Sequence, residues 1–460
     1  MAPRARWLVI CSIRGDTASV IGPDQPARGL IRVPNGDPAA AQDGVAPYAW
    51  VVVAVVAITL TIASGARFLF GVVLKPISEE FGWNRAQLTG AVMLAMIVLS
   101  ICQPLVGILV DRIGAKKILV GGIALLGVSL IPFSFATSLW QIYVLYGLLM
   151  SFGLAAASPV LATAIVGRWF THKRGLAMSI ATSGSAFGQL LIVPIATWIM
   201  LATSWQTTYQ VLAVALLAVA VPLGAIFLRD APRAAVAAGE VPPPEDGLTL
   251  RDAVRHPAFW ILALGFVVCG WTMAFPNTHF LAYADDMGMS VLHAANTISV
   301  TAIFSILGSV LLGLAADRFR RTSVLALTYA LRGLAFLLLL LLPAGNLLYV
   351  YGLVLGISWT ATTPLTAAIA ADRYGPKNLG FIFGSLFTFM NLGFGLGSFL
   401  GGVIFEASGG YQLALIVNVA LGIAAAIAAA IVPQLGHERQ WRPSPIAAPE
   451  TRSFPARATG

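Results

Sequence analysis

Two long apolar runs are joined by the sequence Gly107-Ile108-Leu109-Val110-Asp111-Arg112-Ile113-Gly114-Ala115-Lys116-Lys117. Two more are joined, 206 residues further along, by the related sequence Gly313-Leu314-Ala315-Ala316-Asp317-Arg318-Phe319-Arg320-Arg321. The segment from Ser158 to Gly175 likewise matches the segment from Thr363 to Gly380, at an offset of 205. An apolar chain whose two halves repeat in this way is typical of transporters that work by alternating access.

The composition predicts that lipid is the solvent of this chain. Hydrophobic residues make up 58% of it and charged residues 10%, whereas a soluble domain carries about 25% charged residues. We interpret the net charge of +9 as Lys and Arg in membrane loops, so we expect no nucleic-acid partner. No motif for a metal, a nucleotide or a catalytic serine stands where it could work. We therefore expect no cofactor, no metal and no enzyme activity.

Twelve runs of roughly 20 apolar residues, each long enough to cross a bilayer, follow one another between about residues 48 and 433. Lys and Arg concentrate in alternate loops, and the opposite loops carry none except Lys75 and Arg85 in the first of them. By the positive-inside rule the cationic loops are cytoplasmic, and an even number of crossings puts both termini there too. We expect a multi-pass protein of the inner (plasma) membrane. The cationic loops hold Arg112, Lys116, Lys117, Arg168, Lys173, Arg174, Arg229, Arg233, Arg251, Arg255, Arg318, Arg320, Arg321, Arg373 and Lys377.

The stretch from Gly107 to Lys117 resembles the loop motif that follows the second helix in the major facilitator superfamily. The resemblance covers about residues 48–433. It implies an all-α membrane protein with about twelve transmembrane helices in two pseudo-symmetric six-helix bundles, a central cavity and a rocker-type cycle.

We divide the chain on that basis. We expect an N-terminal bundle at 47–230 and a C-terminal bundle at 257–434. A cytoplasmic linker at 231–256, with Pro242-Pro243-Pro244, joins them. Residues 1–46 are rich in Pro, Gly and Ala and are predicted to be a disordered cytoplasmic tail. Residues 435–460 are expected to form a second cytoplasmic tail. We expect a monomer.

The motif has a physical rationale as a gate. Gly107 and Gly114 permit close approach of the backbone, and Asp111 can accept hydrogen bonds from helix N-termini or from Arg across the bundle interface. Such contacts would hold the cytoplasmic side shut. The alternative is a cationic loop that only fixes topology. The second copy lacks the later glycine and is the weaker latch. The candidate gating residues are Gly107, Asp111, Arg112, Gly114, Lys116, Lys117, Asp317 and Arg318.

Three further segments look like those of the monocarboxylate-porter and oxalate:formate-antiporter branch, namely Pro76 to Arg85, Arg168 to Gly188 and His279 to Gly288. This resemblance implies a small carboxylate substrate. Ser309 and Met390 stand where that branch often carries Arg and where oxalate exchangers carry Lys. Oxalate itself is therefore not expected.

Two arginines, Arg67 in the first run and Arg332 in the ninth, fall inside the apolar runs, and no Asp or Glu lies well inside any run. Because an intramembrane cation is costly, an anionic substrate is an economical partner for them, and the Arg fork suits a carboxylate. Arg67 could instead reach outer headgroups or pair with Glu79 or Glu80. Arg332 could instead bond helix-end carbonyls.

Three polar side chains complete the candidate substrate site. His279 could carry a proton in symport, or could be a hydrogen-bonded structural residue. Asn277 can donate to a carboxylate or cap a helix end, and Asn391 can line the cavity or join helices. Pro276 is predicted to break its helix locally.

These observations favour a secondary transporter that moves a small organic anion, with protons as a candidate coupling ion. The alternatives are an exporter of a non-carboxylate small molecule, a receptor with a transporter fold but no flux, and a membrane enzyme. The resemblance and the intramembrane arginines both favour the first reading.

Overall fold

The computed structural model describes residues 8–11, 18–21, 46–167, 169–170, 174–229, 248–341, 347–374 and 379–431. Twelve of its helices are long and apolar enough to cross a membrane, as predicted. We number them span 1 to span 12. In order they are Pro47–Phe81, Arg85–Gln103, Ala115–Phe133, Leu139–Thr163, Leu176–Ala202, Trp205–Phe227, Pro257–Asp286, Val291–Arg318, Arg321–Leu341, Leu348–Tyr374, Ile382–Ser408 and Gln412–Ile431.

Several helices run beyond these apolar limits. The helix of span 1 is Ala46–Phe81, that of span 2 is Arg85–Ile113 and that of span 11 is Leu379–Ser408. Span 2 begins with a capping box in which Asn84 and Gln87 each satisfy the other's backbone N–H. It ends at Gly114, whose φ of 94° is readily adopted by glycine and separates spans 2 and 3 within a single residue.

The internal repeat is visible as a matched pair of helix breaks. Span 4 is interrupted between Ser151–Ala156 and Pro159–Gly167, and span 10 between Leu348–Trp359 and Thr362–Tyr374. The first break directly precedes Pro159, and the second ends two residues before Pro364, the proline that the sequence repeat aligns with it. The repeat therefore extends from sequence to backbone geometry.

Four spans contain π-helical segments, at Tyr143–Met150, Gly188–Ile192, Leu216–Ala220 and Phe275–His279. The last of these corrects a prediction. Pro276 does not break span 7, which continues through Phe280–Asp286. The wider π turn accommodates a residue that lacks an N–H while neighbouring residues keep the helix going.

The spans form two six-helix bundles. In the N-terminal bundle span 3 packs against spans 4 and 6, and in the C-terminal bundle span 9 packs against spans 10 and 12. The bundles meet where span 2 packs against span 11 and span 5 against span 8. Gly395 and Gly402 of span 11 let its backbone approach Met93 and Ala86 of span 2 closely.

Near the N-terminus the strands Leu8–Cys11 and Ala18–Ile21 pair antiparallel. The rest of the predicted N-terminal tail, most of the predicted linker and the whole tail 435–460 lie outside the described residues. At the end of the linker, the helix Leu250–Ala253 begins at Thr249, whose hydroxyl donates to Asp252 and lowers the pKa of that carboxyl.

Candidate functional site

Arg67 is a half-buried cation at the meeting point of the two bundles. It lies within span 1, and its guanidinium carbon stands 5.1 Å from the centre of the Phe394 ring in span 11. Among the residues that the structure describes, it makes no hydrogen bond and no ion pair. A guanidinium in the membrane interior with all its donors unused is poised to receive an anion.

The sequence left open that Arg67 might pair with a carboxylate at the end of span 1. The structure gives those carboxylates other partners. Glu80 accepts from the indole Nε1 of Trp205 at 2.6 Å and from Gln206 at 3.2 Å. Glu79 is exposed and lies 3.8 Å from Lys75. Both contacts stand more than three helical turns from Arg67, so neither neutralises it.

Asn277 and Asn391 lie within about one helical turn of the Arg67 region. Gly71, four residues after Arg67, packs directly on the backbone carbonyl of Asn277. Asn391 precedes Phe394 by three residues, and its Nδ2 donates to Gln103 of span 2 at 3.3 Å. In both asparagines the buried Oδ1 has no donor within the described part of the chain. Each therefore offers an acceptor to a ligand or a water.

His279 is fully buried, and both of its ring nitrogens have hydrogen-bond partners. Its Nε2 is 2.8 Å from the carbonyl of Ser398, so Nε2 carries the proton and Nδ1 accepts from the Tyr411 hydroxyl at 3.0 Å. Burial raises the pKa of Tyr411, which keeps that hydroxyl protonated as a donor. This is the hydrogen-bonded arrangement that the structural alternative for His279 describes.

Arg332 is also fully buried, inside the C-terminal bundle. Its Nη2 donates to the carbonyls of Ser358 and Trp359 at 2.7 and 3.0 Å, and its Nη1 lies 3.1 Å from the Cys269 sulfur. These two carbonyls belong to the last turn of Leu348–Trp359, where span 10 breaks and helical donors run out. The contacts favour the role of a helix-end cap, the alternative named from the sequence.

An ion-pair latch, formed by Lys75, Arg85, Asp285 and Asp286, joins the two bundles at one end of the molecule. Arg85 of span 2 binds Asp286 of span 7 through both guanidinium arms, one of them at 2.9 Å. Lys75 of span 1 is 2.6 Å from Asp285 and 3.0 Å from Asp286. Four charges on three spans therefore hold this end closed.

Further contacts surround Arg85. Its backbone N–H donates to Glu406 at 2.8 Å, its Nη1 donates to the Tyr411 hydroxyl at 2.9 Å, and its guanidinium lies 3.9 Å from the centre of the Phe405 ring. Arg85 is 6% exposed. Because Tyr411 also donates to His279, a continuous chain of hydrogen bonds links Arg85 of the latch to His279.

The latch corrects the assignment of Lys75 and Arg85 to a loop. Lys75 is helical because span 1 continues to Phe81, and Arg85 is the first residue of span 2. The signal that could have revealed the latch was present in the sequence. Lys75 and Arg85 are the two cations on the side whose loops otherwise carry no Lys or Arg. Asp285-Asp286 is the acidic pair on that same side.

The candidate gating residues lie at the opposite end of these helices. Arg112, Asp317 and Arg318 are exposed, and in the described chain none of the three forms an ion pair. Gly107 and Asp111 are helical, and the Asp111 side chain lies outside the described ones. The gating role of this motif stays a prediction. Within the described residues, no group of three or more His, Cys, Asp or Glu is placed to hold a metal.

The sequence model of the Major Facilitator Superfamily matches residues 56–308 and 268–458. The chain belongs to the major facilitator superfamily. The resemblance to its loop motif is thereby confirmed, as is the fold that the resemblance implied.

Relatives and solved structures agree with this assignment. The chain is 27% identical to the uncharacterized MFS-type transporter YcxA of Bacillus subtilis over 81% of this chain and 92% of that one. It is 26% identical to monocarboxylate transporter 11 of Homo sapiens (83% and 82% covered) and 25% identical to monocarboxylate transporter 13 of Rattus norvegicus (80% and 85%). The fold matches a bacterial homolog of the human lysosomal transporter Spinster, crystallised inward-facing and unoccupied, with a TM-score of 0.72 at 16% identity over 86% of this chain and 99% of that one. The chain is thus a multi-pass membrane transporter of a small molecule.

Proposed function

We propose that this protein is a secondary transporter that moves a small organic anion, most simply a monocarboxylate, by alternating access. The observation that supports it is Arg67, a half-buried guanidinium between the bundles that has no anionic partner in the described chain. A substrate carboxylate would supply the missing charge and occupy the fork of donors. Asn277 and Asn391 offer acceptors nearby for a hydroxyl or amine of the same ligand.

The relatives support the same substrate class. Two of them are named monocarboxylate transporters, and each covers about four fifths of this chain. The contacts at the bundle interface support the cycle. The latch closes the end that the positive-inside rule assigns to the outside, so in our proposal its breaking and re-forming would open and seal the outer end during the cycle.

The function is tested by uptake in proteoliposomes, with radiolabelled pyruvate as the probe. We expect the vesicles to take up pyruvate. An excess of another small carboxylate should reduce this uptake by competition, whereas neutral methyl pyruvate should not. Arg67→Gln should weaken pyruvate binding roughly 10- to 100-fold, the value of a charge-assisted hydrogen bond of about 1.5–3 kcal/mol. Arg67→Lys should restore binding only in part, because an ammonium lacks the planar fork.

The matched control is Arg321→Gln, which removes a cation that already pairs with Asp372 at 2.7 Å and should leave uptake unchanged. Uptake that is insensitive to Arg67→Gln would contradict an anionic substrate and favour export of an uncharged molecule. Binding without uptake would favour a receptor. Uptake that rises as external pH falls would identify proton symport.

The gate motif gives a second expected outcome. Asp111→Asn should slow pyruvate uptake while leaving equilibrium binding intact, because Asp111 is the only carboxylate of its cationic loop. The measurement is the ratio of initial uptake rate to binding affinity in the same vesicles. A variant that transports normally but binds weakly would contradict the gate role.

The predicted membrane topology gives a third expected outcome. Reporter fusions truncated after Arg229 and after Phe405 should lie on opposite sides of the inner membrane, with Arg229 cytoplasmic. The same side for both would contradict the proposed orientation of the twelve spans.

A further inference from the structure

A glutamine of span 5 has an amide that the fold does not engage. Gln189 is 3% exposed, and its amide makes no hydrogen bond with any residue in the described chain. The amide is not among the fully buried polar atoms that lack a partner, so it is accessible to a small ligand. Gln189 lies in the π-helical segment Gly188–Ile192, and such segments frequently occur at functional sites.

The packing of span 5 on span 1 shows which way Gln189 faces. Glycines of span 5 lie directly on the backbone of span 1, Gly184 on Ala57 and Gly188 on Thr61. These contacts define a seam between the two helices. Next to the seam the hydroxyls of Ser64 and Ser185 are 3.2 Å apart, so these two serines lie on the same side of it.

Arg67 and Gln189 lie on that side as well. Gln189 follows Ser185 by four positions and Arg67 follows Ser64 by three, so each lies about one turn further along the same helix face. Both helices run in the same direction. At 1.5 Å per residue, Arg67 and Gln189 stand roughly 4.5 and 6 Å beyond the serine pair, which places them in one layer.

This side of the seam faces the other bundle. The Arg67 guanidinium lies against Phe394 of span 11. The carbonyl of Leu190, the residue after Gln189, accepts from the Ser299 hydroxyl of span 8 at 2.8 Å. Arg67 and Gln189 thus border the same space between the bundles, Arg67 from span 1 and Gln189 from span 5.

We infer that Gln189 is a second substrate-binding residue, which determines specificity by binding the same anion as Arg67. The amide N–H donates to one carboxylate oxygen while the guanidinium binds the other. Such a pair selects small anions that present two oxygens in one plane. The identity of the ligand rests on the proposed function, whereas the shared site of Gln189 and Arg67 does not.

The shared site is tested without any substrate. Gln189→Glu places a carboxylate beside the unpaired Arg67, so we expect the apparent unfolding temperature to rise in the wild-type background and to fall in the Arg67→Gln background. A double-mutant cycle of these variants measures the coupling. Stability changes that simply add would overturn the inference.

The ligand role is tested with pyruvate binding to the purified protein. Gln189→Ala should weaken binding about tenfold, as loss of one hydrogen bond to a charged group, and should weaken it far less when Arg67 is already Gln. The matched control is Gln210→Ala, which removes a span 6 amide that donates to Ser134 and should leave affinity unchanged. Wild-type affinity in Gln189→Ala would overturn the ligand role. If pyruvate does not bind the wild type at all, the carboxylate proposal fails, and the substrate-free cycle still decides whether the two residues share a site.

Discussion

Arg67 and Arg332 are the same residue type within membrane-spanning helices, and their surroundings differ completely. Arg332 is fully buried and donates to two backbone carbonyls and a sulfur. Arg67 is half-buried, lies against one aromatic ring and makes no hydrogen bond within the described chain. A buried charge whose two terminal nitrogens are both engaged, as in Arg332, is part of the fold, whereas one whose donors are unused is available to a ligand.

A third arginine lies between these two cases. Arg85 is nearly as buried as Arg332, and its partner is the carboxylate of Asp286 on the other bundle. Asp286 belongs to the other bundle, whereas the carbonyls bound by Arg332 belong to its own bundle. The three arginines therefore differ in their partners, which are backbone carbonyls for Arg332, a carboxylate of the other bundle for Arg85 and, in our proposal, a substrate anion for Arg67.

The largest effect on stability is expected from Arg332→Gln. The substitution leaves the carbonyls of Ser358 and Trp359 without donors, at about 1–3 kcal/mol for each buried group. The yield of monodisperse protein and its unfolding temperature should both fall, while pyruvate affinity of the folded fraction stays unchanged. Arg321→Gln, which removes a surface pair worth at most about 1 kcal/mol, is the control. If Arg332→Gln had normal stability and lost pyruvate binding, Arg332 and not Arg67 would be the substrate-binding arginine.

An intermediate effect is expected from breaking the latch. Asp286→Asn should shift the population toward separation of the latched ends by roughly ten- to a hundredfold, since charge-assisted hydrogen bonds are worth about 1.5–3 kcal/mol. Spin labels at the exposed positions Thr137 and Met287, one on each bundle, report the distance between these ends. The exchanged pair Arg85→Asp with Asp286→Arg should return the short distance in part. A distance distribution that none of these variants changes would mean that packing alone holds this end closed.

The smallest effect on stability is expected from Arg67→Gln. No hydrogen bond within the described chain is lost, so the free energy of unfolding should change by no more than about 0.5 kcal/mol, as at sites without engaged partners. The unfolding temperature measured without substrate checks this. Pyruvate should raise that temperature in the wild type and not in the variant. A large drop for Arg67→Gln alone would show that Arg67 has a structural role similar to that of Arg332.

Much of the fold could be predicted from local features of the chain. A bilayer offers no water to the backbone, so each apolar run must satisfy its own hydrogen bonds as a helix, and run length identifies the twelve spans. Gly114 shows that a local signal can also mark a turn, since its positive φ separates two spans. Pro276 shows the limit. Its effect on span 7 depends on whether neighbours accommodate a π turn, and the local sequence does not contain that information.

The sequence by itself determined the twelve crossings, the twofold repeat and the two intramembrane arginines, because each depends on residue type and spacing along the chain. Only the tertiary structure decided which arginine is free. That outcome depends on the carbonyls at the break of span 10, and on carboxylates such as Asp286, which is 201 residues from its partner Arg85. It also brought together Ser64 and Ser185, which are 121 residues apart in the sequence and from which the position of Gln189 is inferred. Charges and amides are satisfied by whatever packing brings within about 3 Å, and sequence spacing does not determine contacts between distant spans.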